Sequence, residues 1–181
     1  QGQGQGQAEE THSTAVYSCI HDNAGDLAIG IADMSIFGQI NAHYVKTLAP
    51  AVRRSPLVVV DGNISPEAFS TLSNMCSHFN TAIFFEPTSD HKCLLPFKAN
   101  CFDQVDIVKP NTSELVAMVS HCLQAGLINA GRALVSNTLS TLVAGRADTN
   151  LDEIDITDVR ILAHALHSVM CAHPQSAGGG G

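Results

Sequence analysis

The feature that most constrains the fold is the run Pro56-Leu-Val-Val-Val, which leads directly into Asp61-Gly62-Asn63. A short, continuous and largely β-branched run predicts a strand that is buried on both faces, as in a parallel sheet. Ser65-Pro66-Glu67 follows and predicts a helix start, with Ser65 as the N-cap and Pro66 at the first helical position. We expect this helix to run to about residue 78.

Two further strands continue the pattern. Thr81–Glu86 predicts a second buried strand that is closed by Pro87, and Val105–Val108 predicts a short third strand that is closed by Pro110. Asn111-Thr-Ser-Glu114 then opens another helix. The order strand, helix, strand, short helix, strand, helix is typical of a parallel α/β layer, so the predicted fold class is α/β.

The segments on either side of this layer also have recognisable patterns. Two β-rich runs, 13–20 and 27–34, flank the turn-forming residues 21–26 and predict a β-hairpin. Apolar spacing predicts a helix over 36–48, which should end before Pro50, and further helices over 123–142 and 158–171. Residues 144–150 are predicted to form a loop.

Composition narrows the class of protein. A net charge of −8 disfavours a generic nucleic-acid-binding protein, and an anionic ligand would need a locally positive pocket. No apolar stretch approaches the roughly 18 residues of a membrane span. The six cysteines include no CxxC pair, so we interpret them as reduced, mostly buried thiols in a cytoplasmic protein.

Polar side chains follow each of the three predicted strands at its carboxyl end. In open α/β sheets, ligands bind beyond these ends, which makes the edge a candidate site. The alternative is that Asp, Asn and Ser simply form turns and caps there. The side chains concerned are those of Asp61, Asn63, Glu86, Thr88, Lys109 and Asn111.

Asn111 and Glu114 are the most specific pair in this set. Their i to i+3 spacing at a helix N-terminus places an amide oxygen and a carboxylate side by side, and such oxygens suit a hydrated Mg²⁺. The N–H groups of the same turn would donate hydrogen bonds to a phosphate. However, N-x-x-E also matches an ordinary capping arrangement, and both interpretations stay open on spacing alone.

A family resemblance rests on several short motifs in order. They are Thr14-Ala-Val-Tyr17, Ala32-Asp-Met34, Val58-Val-Val-Asp-Gly-Asn-Ile-Ser65, Phe84-Phe-Glu-Pro-Thr-Ser89, Lys92 and Lys109-Pro-Asn-Thr-Ser-Glu-Leu115. With these motifs, residues 13 to about 118 resemble the middle of a PfkB-type (ribokinase-like) carbohydrate kinase. The pseudouridine kinase-like members are the most similar, and some of them are fused to a pseudouridine-5'-phosphate glycosidase.

The resemblance implies a fold, cofactors and roles for the candidate residues. The fold would be a ribokinase-like three-layer α/β/α core, in part, with the hairpin similar to part of a β-lid over the sugar. Asn111 and Glu114 would assist Mg²⁺ and the ATP phosphates through water, while Asp61 and Asn63 would lie near the sugar. The residues implied in binding ATP are Glu86, Lys92, Lys109 and Asn111.

One departure from the family bears on activity. The Gly-Ala-Gly-Asp turn that carries the family's general base and anion hole does not occur in the sequence, and Ala24-Gly25-Asp26 lies between two strands rather than before a helix. Phosphoryl transfer depends on such groups. We therefore expect a central fragment of a sugar or nucleoside kinase, pseudouridine being the favoured substrate, that is inactive alone. The alternative is a degenerate binding or scaffold module of the same fold.

The expected organisation is a partial kinase domain between two low-complexity tails. Residues 1–12 and 174–181 are predicted to be disordered, and 13–173 to form the domain. Within it, 13–34 is the lid hairpin, 56–119 the best-matching core and 120–157 a divergent or inserted stretch. His164 and His167 lie one turn apart, yet no third ligand accompanies them, so we favour an exposed pair over a metal site.

Overall fold

A computed structural model describes residues 12–25, 27–128, 131–145 and 156–171. The chain divides into two compact units, residues 1–40 and residues 41–181. The predicted disorder at the termini concerns residues that lie almost wholly outside the described ranges. Within those ranges, no helix has both the length and the apolar character needed to cross a lipid bilayer.

The first unit contains the predicted hairpin. Strand β1 (Val16–His21) pairs antiparallel with β2 (Leu27–Asp33), and a 3₁₀ turn (Ser35–Gln39) follows. The Gly25 N–H donates to the Asp22 carbonyl oxygen at 3.1 Å, and Gly25 has φ +91°, a conformation that glycine adopts without a steric penalty. The hairpin prediction is therefore confirmed, with strand ends that differ by a few residues.

The second unit is built on a three-stranded parallel sheet in the order β3-β4-β5. Its strands are β3 (Leu57–Asp61), β4 (Ala82–Glu86) and β5 (Ile107–Val108). The helices that precede or separate these strands are α1 (Ala42–Thr47), α2 (Ala49–Val52), α3 (Pro66–Phe79) and α4 (Leu95–Lys98), with a 3₁₀ turn at Phe102–Gln104. The alternation predicted from the sequence is confirmed.

Helix α3 has the predicted start. The Ser65 side chain accepts a hydrogen bond from the Ala68 N–H at 3.1 Å, and Pro66 occupies the first turn. The helix ends at Asn80, which caps it in the left-handed conformation with φ 56°. These end signals determine where α3 begins and ends. Because α3 begins directly after the turn that follows β3, its start also determines where that turn ends.

In the described part of the chain, one face of the sheet is much more deeply buried than the other. On the buried face, Ile83 and Phe85 are almost fully enclosed, and the Phe85 ring packs edge-on against Phe69 of α3 with centroids 5.6 Å apart. On the other face, the exposed fraction of Val59 is 64% and that of Ile107 is 49%. The prediction of burial on both faces is therefore wrong for β3 and β5, whereas every residue of the central strand β4 is buried or half-buried.

Three longer helices complete the second unit. They are α5 (Thr112–Gln124), α6 (Arg132–Gly145) and α7 (Ile156–Met170). Their apolar side chains form one buried cluster that includes Met118, Val135 and Leu162, together with Cys93 and Phe102 from the loop region before β5. The described part of the predicted divergent stretch 120–157 thus contributes to the core of this unit.

Two helix predictions need correction. The predicted helix over 36–48 is interrupted, because Asn41 is extended and caps α1 by accepting from the Tyr44 N–H at 3.0 Å. Pro50 lies in the first turn of α2, where its missing N–H costs nothing. The helix over 123–142 is also interrupted, because Gly126 and Gly131 both have positive φ. Of the predicted loop 144–150, residues 144–145 end α6 and the rest lies outside the described residues.

Candidate functional site

The turn after β3 joins three of the predicted residues. The Asn63 N–H donates to Asp61 Oδ1 at 3.0 Å, and the Asn63 side-chain amide donates to Asp61 Oδ2. Lys92, which is 29 positions further along the chain, donates from Nζ to Asn63 Oδ1. Asp61 and Lys92 are exposed and Asn63 is half-buried, so the group forms a hydrogen-bonded chain at the surface.

Glu86 and Lys109 form an ion pair beside this turn. Glu86 ends β4 directly opposite Asp61 in the sheet register, and the Lys109 ammonium lies 3.0 Å from Glu86 Oε2. Their side chains are 36% and 68% exposed, so solvent screens the pair and it contributes little to stability. It does fix a positive charge at the carboxyl edge of the sheet.

Gly62 lets two backbone segments approach closely at this edge. Its N–H donates to the Glu86 carbonyl oxygen at 3.1 Å and to Thr88 Oγ1 at 3.0 Å. A Cβ atom on residue 62 would lie 2.8 Å from the Pro87 carbonyl oxygen and 2.7 Å from Lys92 Cβ. Only glycine fits there, a requirement that the sequence analysis did not identify.

Asn111 and Glu114 form a complete capping box at the start of α5. Asn111 Oδ1 accepts from the Glu114 N–H and Glu114 Oε2 accepts from the Asn111 N–H, both at 2.8 Å. The exposed fraction of Glu114 is 3%, whereas Asn111 is exposed. The capping interpretation that the sequence left open is confirmed, and a metal role would have to operate alongside it.

The loop after β4 connects to α5 through a contact that the sequence did not predict. Ser113 Oγ donates to Asp90 Oδ2 across 23 positions of sequence. Nearby, Cys93 is fully buried, and burial, followed by the Asp90 and Glu114 charges, raises its pKa to about 11. A thiol with this pKa is inert near neutral pH, which agrees with the interpretation of the cysteines as mostly buried thiols.

The structure thus brings the predicted residues to one edge of the second unit. Asp61 faces Glu86 in the register, Glu86 pairs with Lys109, and Asn111 follows Lys109 after one residue. Asp90 then ties the loop after β4 to the first turn of α5.

Among the described residues, no third metal ligand accompanies the histidine pair on α7. Both imidazoles are exposed, and His167 contacts Cys171, with 3.5 Å between Nε2 and Sγ. Over the ranges that the structure covers, no three His, Cys, Asp or Glu side chains come together in a way that could hold a metal ion. Any metal at the sheet edge would therefore need ligands from water or phosphate.

The fold is ribokinase-like, in part. A solved carbohydrate kinase from Agrobacterium tumefaciens superposes with a TM-score of 0.54 at 21% identity, covering 60% of this chain and 36% of that chain. This likeness concerns the fold alone. No protein-family model matches the chain.

Curated relatives give the finer resemblance. The chain is 30% identical to the pseudouridine kinase of Escherichia coli over 102 residues, and 26% identical to that of Arabidopsis thaliana over 125 residues. It is also 30% identical over 99 residues to a pseudouridine-metabolizing bifunctional protein of Schizosaccharomyces pombe. These matches cover 31%, 32% and 13% of the three relatives, so the chain spans about a third of either kinase. The predicted resemblance to PfkB-type kinases, and to pseudouridine kinases in particular, is confirmed.

Proposed function

We propose that this chain forms the Mg²⁺ and phosphate side, and part of the sugar side, of a kinase that transfers the ATP γ-phosphoryl group to a hydroxyl of a sugar or nucleoside. Pseudouridine is the favoured acceptor, which the names of the curated relatives support. The observation that carries the proposal is the convergence of the three strand ends and the start of α5 on a single edge.

Phosphate binding is assigned to the first turn of α5. The first N–H groups of a helix lack intrahelical partners, and here Asn111 Oδ1 takes the Glu114 N–H. The N–H groups of Thr112 and Ser113 remain for phosphate oxygens, and the helix dipole favours negative charge at this end. The capping box holds the turn in place for that purpose.

The side-chain oxygens at this turn suit contact with Mg²⁺ through its bound water molecules. Mg²⁺ keeps several water ligands and uses one or two carboxylates together with substrate phosphates. Glu114 is nearly buried and one of its oxygens already accepts from Asn111, so we assign it contact with metal-bound water rather than direct ligation. When bound, Mg²⁺ would neutralise the charge of the ATP phosphates.

Two lysines, Lys92 and Lys109, supply ammonium groups for an anionic ligand at this edge. Neighbouring carboxylates balance their charges, so bound Mg²⁺ would have to supply the remaining positive charge that ATP needs. Asn63 orients the Lys92 ammonium and Glu86 orients that of Lys109. We assign both ammonium groups, with Glu86 as the partner of Lys109, to the nucleotide phosphates. Asp61 and Asn63 offer a carboxylate and an amide to the hydroxyl groups of the acceptor.

The general base is not assigned to any residue of this chain, because no Gly-Ala-Gly-Asp turn occurs in it. We therefore propose that the chain binds Mg·ATP but does not transfer phosphate alone. We further propose that it functions with a pseudouridine-5'-phosphate glycosidase, fused or as a partner. This last step is supported by the description of the S. pombe relative as a bifunctional pseudouridine-metabolizing protein.

The test is calorimetric titration of the chain with ATP at a series of Mg²⁺ concentrations. We expect the apparent affinity to rise with Mg²⁺ in the wild type, and this dependence to weaken in Asn111→Ala and Glu114→Ala. Asn41→Ala is the matched control, because it removes the same kind of cap bond from α1. Its Mg²⁺ dependence should equal that of the wild type.

Four results would count against the proposal or a part of it. An Mg²⁺ dependence unchanged in both α5 variants would remove the metal role, and absence of ATP binding by the folded wild type would remove the phosphate role. Turnover of ATP with pseudouridine by the chain alone would show that a base lies within it. Binding of ATP that no acceptor influences, even with the adjoining polypeptide restored, would favour the degenerate binding module.

A further inference from the structure

The loop over residues 87–93 connects the two parts of the candidate site. On the sugar side, Thr88 Oγ1 accepts from the Gly62 N–H, and Lys92 donates to Asn63. Thr88 adopts φ 71°, an uncommon conformation for a residue with a β-branched side chain. Neighbouring structure must hold such a residue in place, so this end of the loop is closely tied to the turn after β3.

The other end of the loop is fixed to the core beneath α5. The Cys93 N–H donates to the Ser89 carbonyl oxygen at 2.8 Å, and the buried Cys93 thiol contacts the Asp90 carbonyl oxygen at 3.0 Å. Cys93 belongs to the same buried cluster as Leu115 of α5. These contacts fix the Asp90 backbone, and its carboxylate then accepts the hydrogen bond from Ser113 Oγ.

We propose that Asp90 is a positioning residue that acts through Ser113 to orient the first turn of α5 towards phosphate. This inference rests on the proposed function. The Ser113 hydroxyl has a single proton, and Asp90 accepts it, so that proton is not available to a ligand. What remains for a phosphate is the Ser113 backbone N–H, whose direction depends on how the turn is held. The Asp90–Ser113 bond is also the contact through which the 87–93 loop reaches this turn.

This role differs from that of a residue that touches the phosphate. If Ser113 contacted phosphate directly, its removal would weaken binding whether or not Asp90 were present. If it acts through Asp90, removal of either partner has the full effect, and removal of both adds nothing further. A double-mutant cycle separates the two cases.

The experiment titrates ATP with saturating Mg²⁺ into the wild type, Ser113→Ala, Asp90→Ala, Asp90→Asn and the double alanine variant. A hydrogen bond to a charged group supports an expected loss of about tenfold in affinity for each single alanine variant, and about the same loss for the double variant. Both Asp90→Asn and Asp90→Ala remove the negative charge, but asparagine keeps an acceptor oxygen for the Ser113 hydroxyl. Asp90→Asn should therefore bind ATP much more tightly than Asp90→Ala. Ser55→Ala is the control, because it removes a serine hydroxyl bond to the Ala51 carbonyl oxygen elsewhere in the unit.

A second measurement follows the turn itself without ATP. In ¹⁵N-labelled protein, the amide resonances of Asn111 and Glu114 should shift in Ser113→Ala and Asp90→Ala and stay unchanged in Ser55→Ala. Thermal unfolding of every variant establishes that the protein is folded. If Asp90→Ala fails to fold, Ser113→Ala and Asp90→Asn still decide the outcome.

The outcomes distinguish this inference from the proposed function. A wild type that binds no ATP overturns the proposed function, and this inference with it. A wild type that binds, while Ser113→Ala binds equally well, overturns the positioning role alone. Additive losses in the double variant would assign Ser113 a direct contact, and they too would overturn the role of Asp90.

Discussion

Replacement of Gly62 by alanine should destabilise the chain, because the new Cβ has no room. It would lie 2.7 Å from Lys92 Cβ and 2.8 Å from the Pro87 carbonyl oxygen, and the second of these is backbone that cannot rotate away. Forcing an extra methyl group into a packed site costs about 1–3 kcal/mol. Alanine also restricts the conformations of the unfolded chain, which stabilises the folded state by about 0.4–1 kcal/mol. With the middle of each range, about 2 kcal/mol lost and about 0.7 kcal/mol gained, the expected net loss in the free energy of unfolding is about 1.3 kcal/mol.

Urea denaturation followed by far-ultraviolet circular dichroism measures this loss, with Gly38→Ala as the control. Among the described residues, apart from residue 38's own chain neighbours and helical turn, no atom lies within 4 Å of where its Cβ would be, so that variant should be as stable as the wild type or slightly more stable. The denaturation slope should not change, which would show that the folded state stays compact. Equal stability of Gly62→Ala and Gly38→Ala would refute the close approach between the turn after β3 and the 87–93 loop.

Two further predictions concern the sheet and the thiols. Phe85→Ala should lower the free energy of unfolding by about 3–5 kcal/mol, because Phe85 is fully buried, whereas Val59→Ala on the exposed face should change it by less than about 1 kcal/mol in the same denaturation assay. Similar losses would contradict the unequal burial of the two faces. With a thiol-specific disulfide reagent at pH 8, only the exposed Cys19 and Cys171 of the native chain should react quickly. Burial raises the pKa of Cys93 to about 11, so its reactive thiolate stays scarce until the pH approaches that value, and fast reaction of a third thiol at pH 8 would be contrary evidence.

Local signals predicted much of the second unit. Ser65 followed by Pro66 marks the start of α3, and Asn111 with Glu114 marks the start of α5, because these side chains bond to backbone groups only a few positions away. The parallel arrangement followed from the alternation of apolar runs and helices. Since the carboxyl ends of parallel strands share an edge, the place of the candidate site followed as well.

The remaining features depend on contacts between distant positions, which no local pattern reports. The bond between Asp90 and Ser113 spans 23 positions and that between Lys92 and Asn63 spans 29. The unequal burial of the two faces of the sheet was also missed, because a β-branched run shows that a strand can be buried on both faces but not that both layers are present. The break at Gly126 was missed for another reason, since apolar spacing continues across a glycine whose φ is positive.

The central claim is that the three strand ends and the first turn of α5 face a common Mg·ATP site. Paramagnetic broadening of ¹⁵N amide signals by Mn²⁺ with ATP tests it directly, because broadening falls steeply with distance from the ion. The account predicts the strongest broadening for the amides near Gly62, Lys109 and Ser113, and weaker broadening for that of Asn80, which precedes β4 at the opposite end of the sheet. Broadening centred on Asn80, or none that depends on ATP, would contradict it.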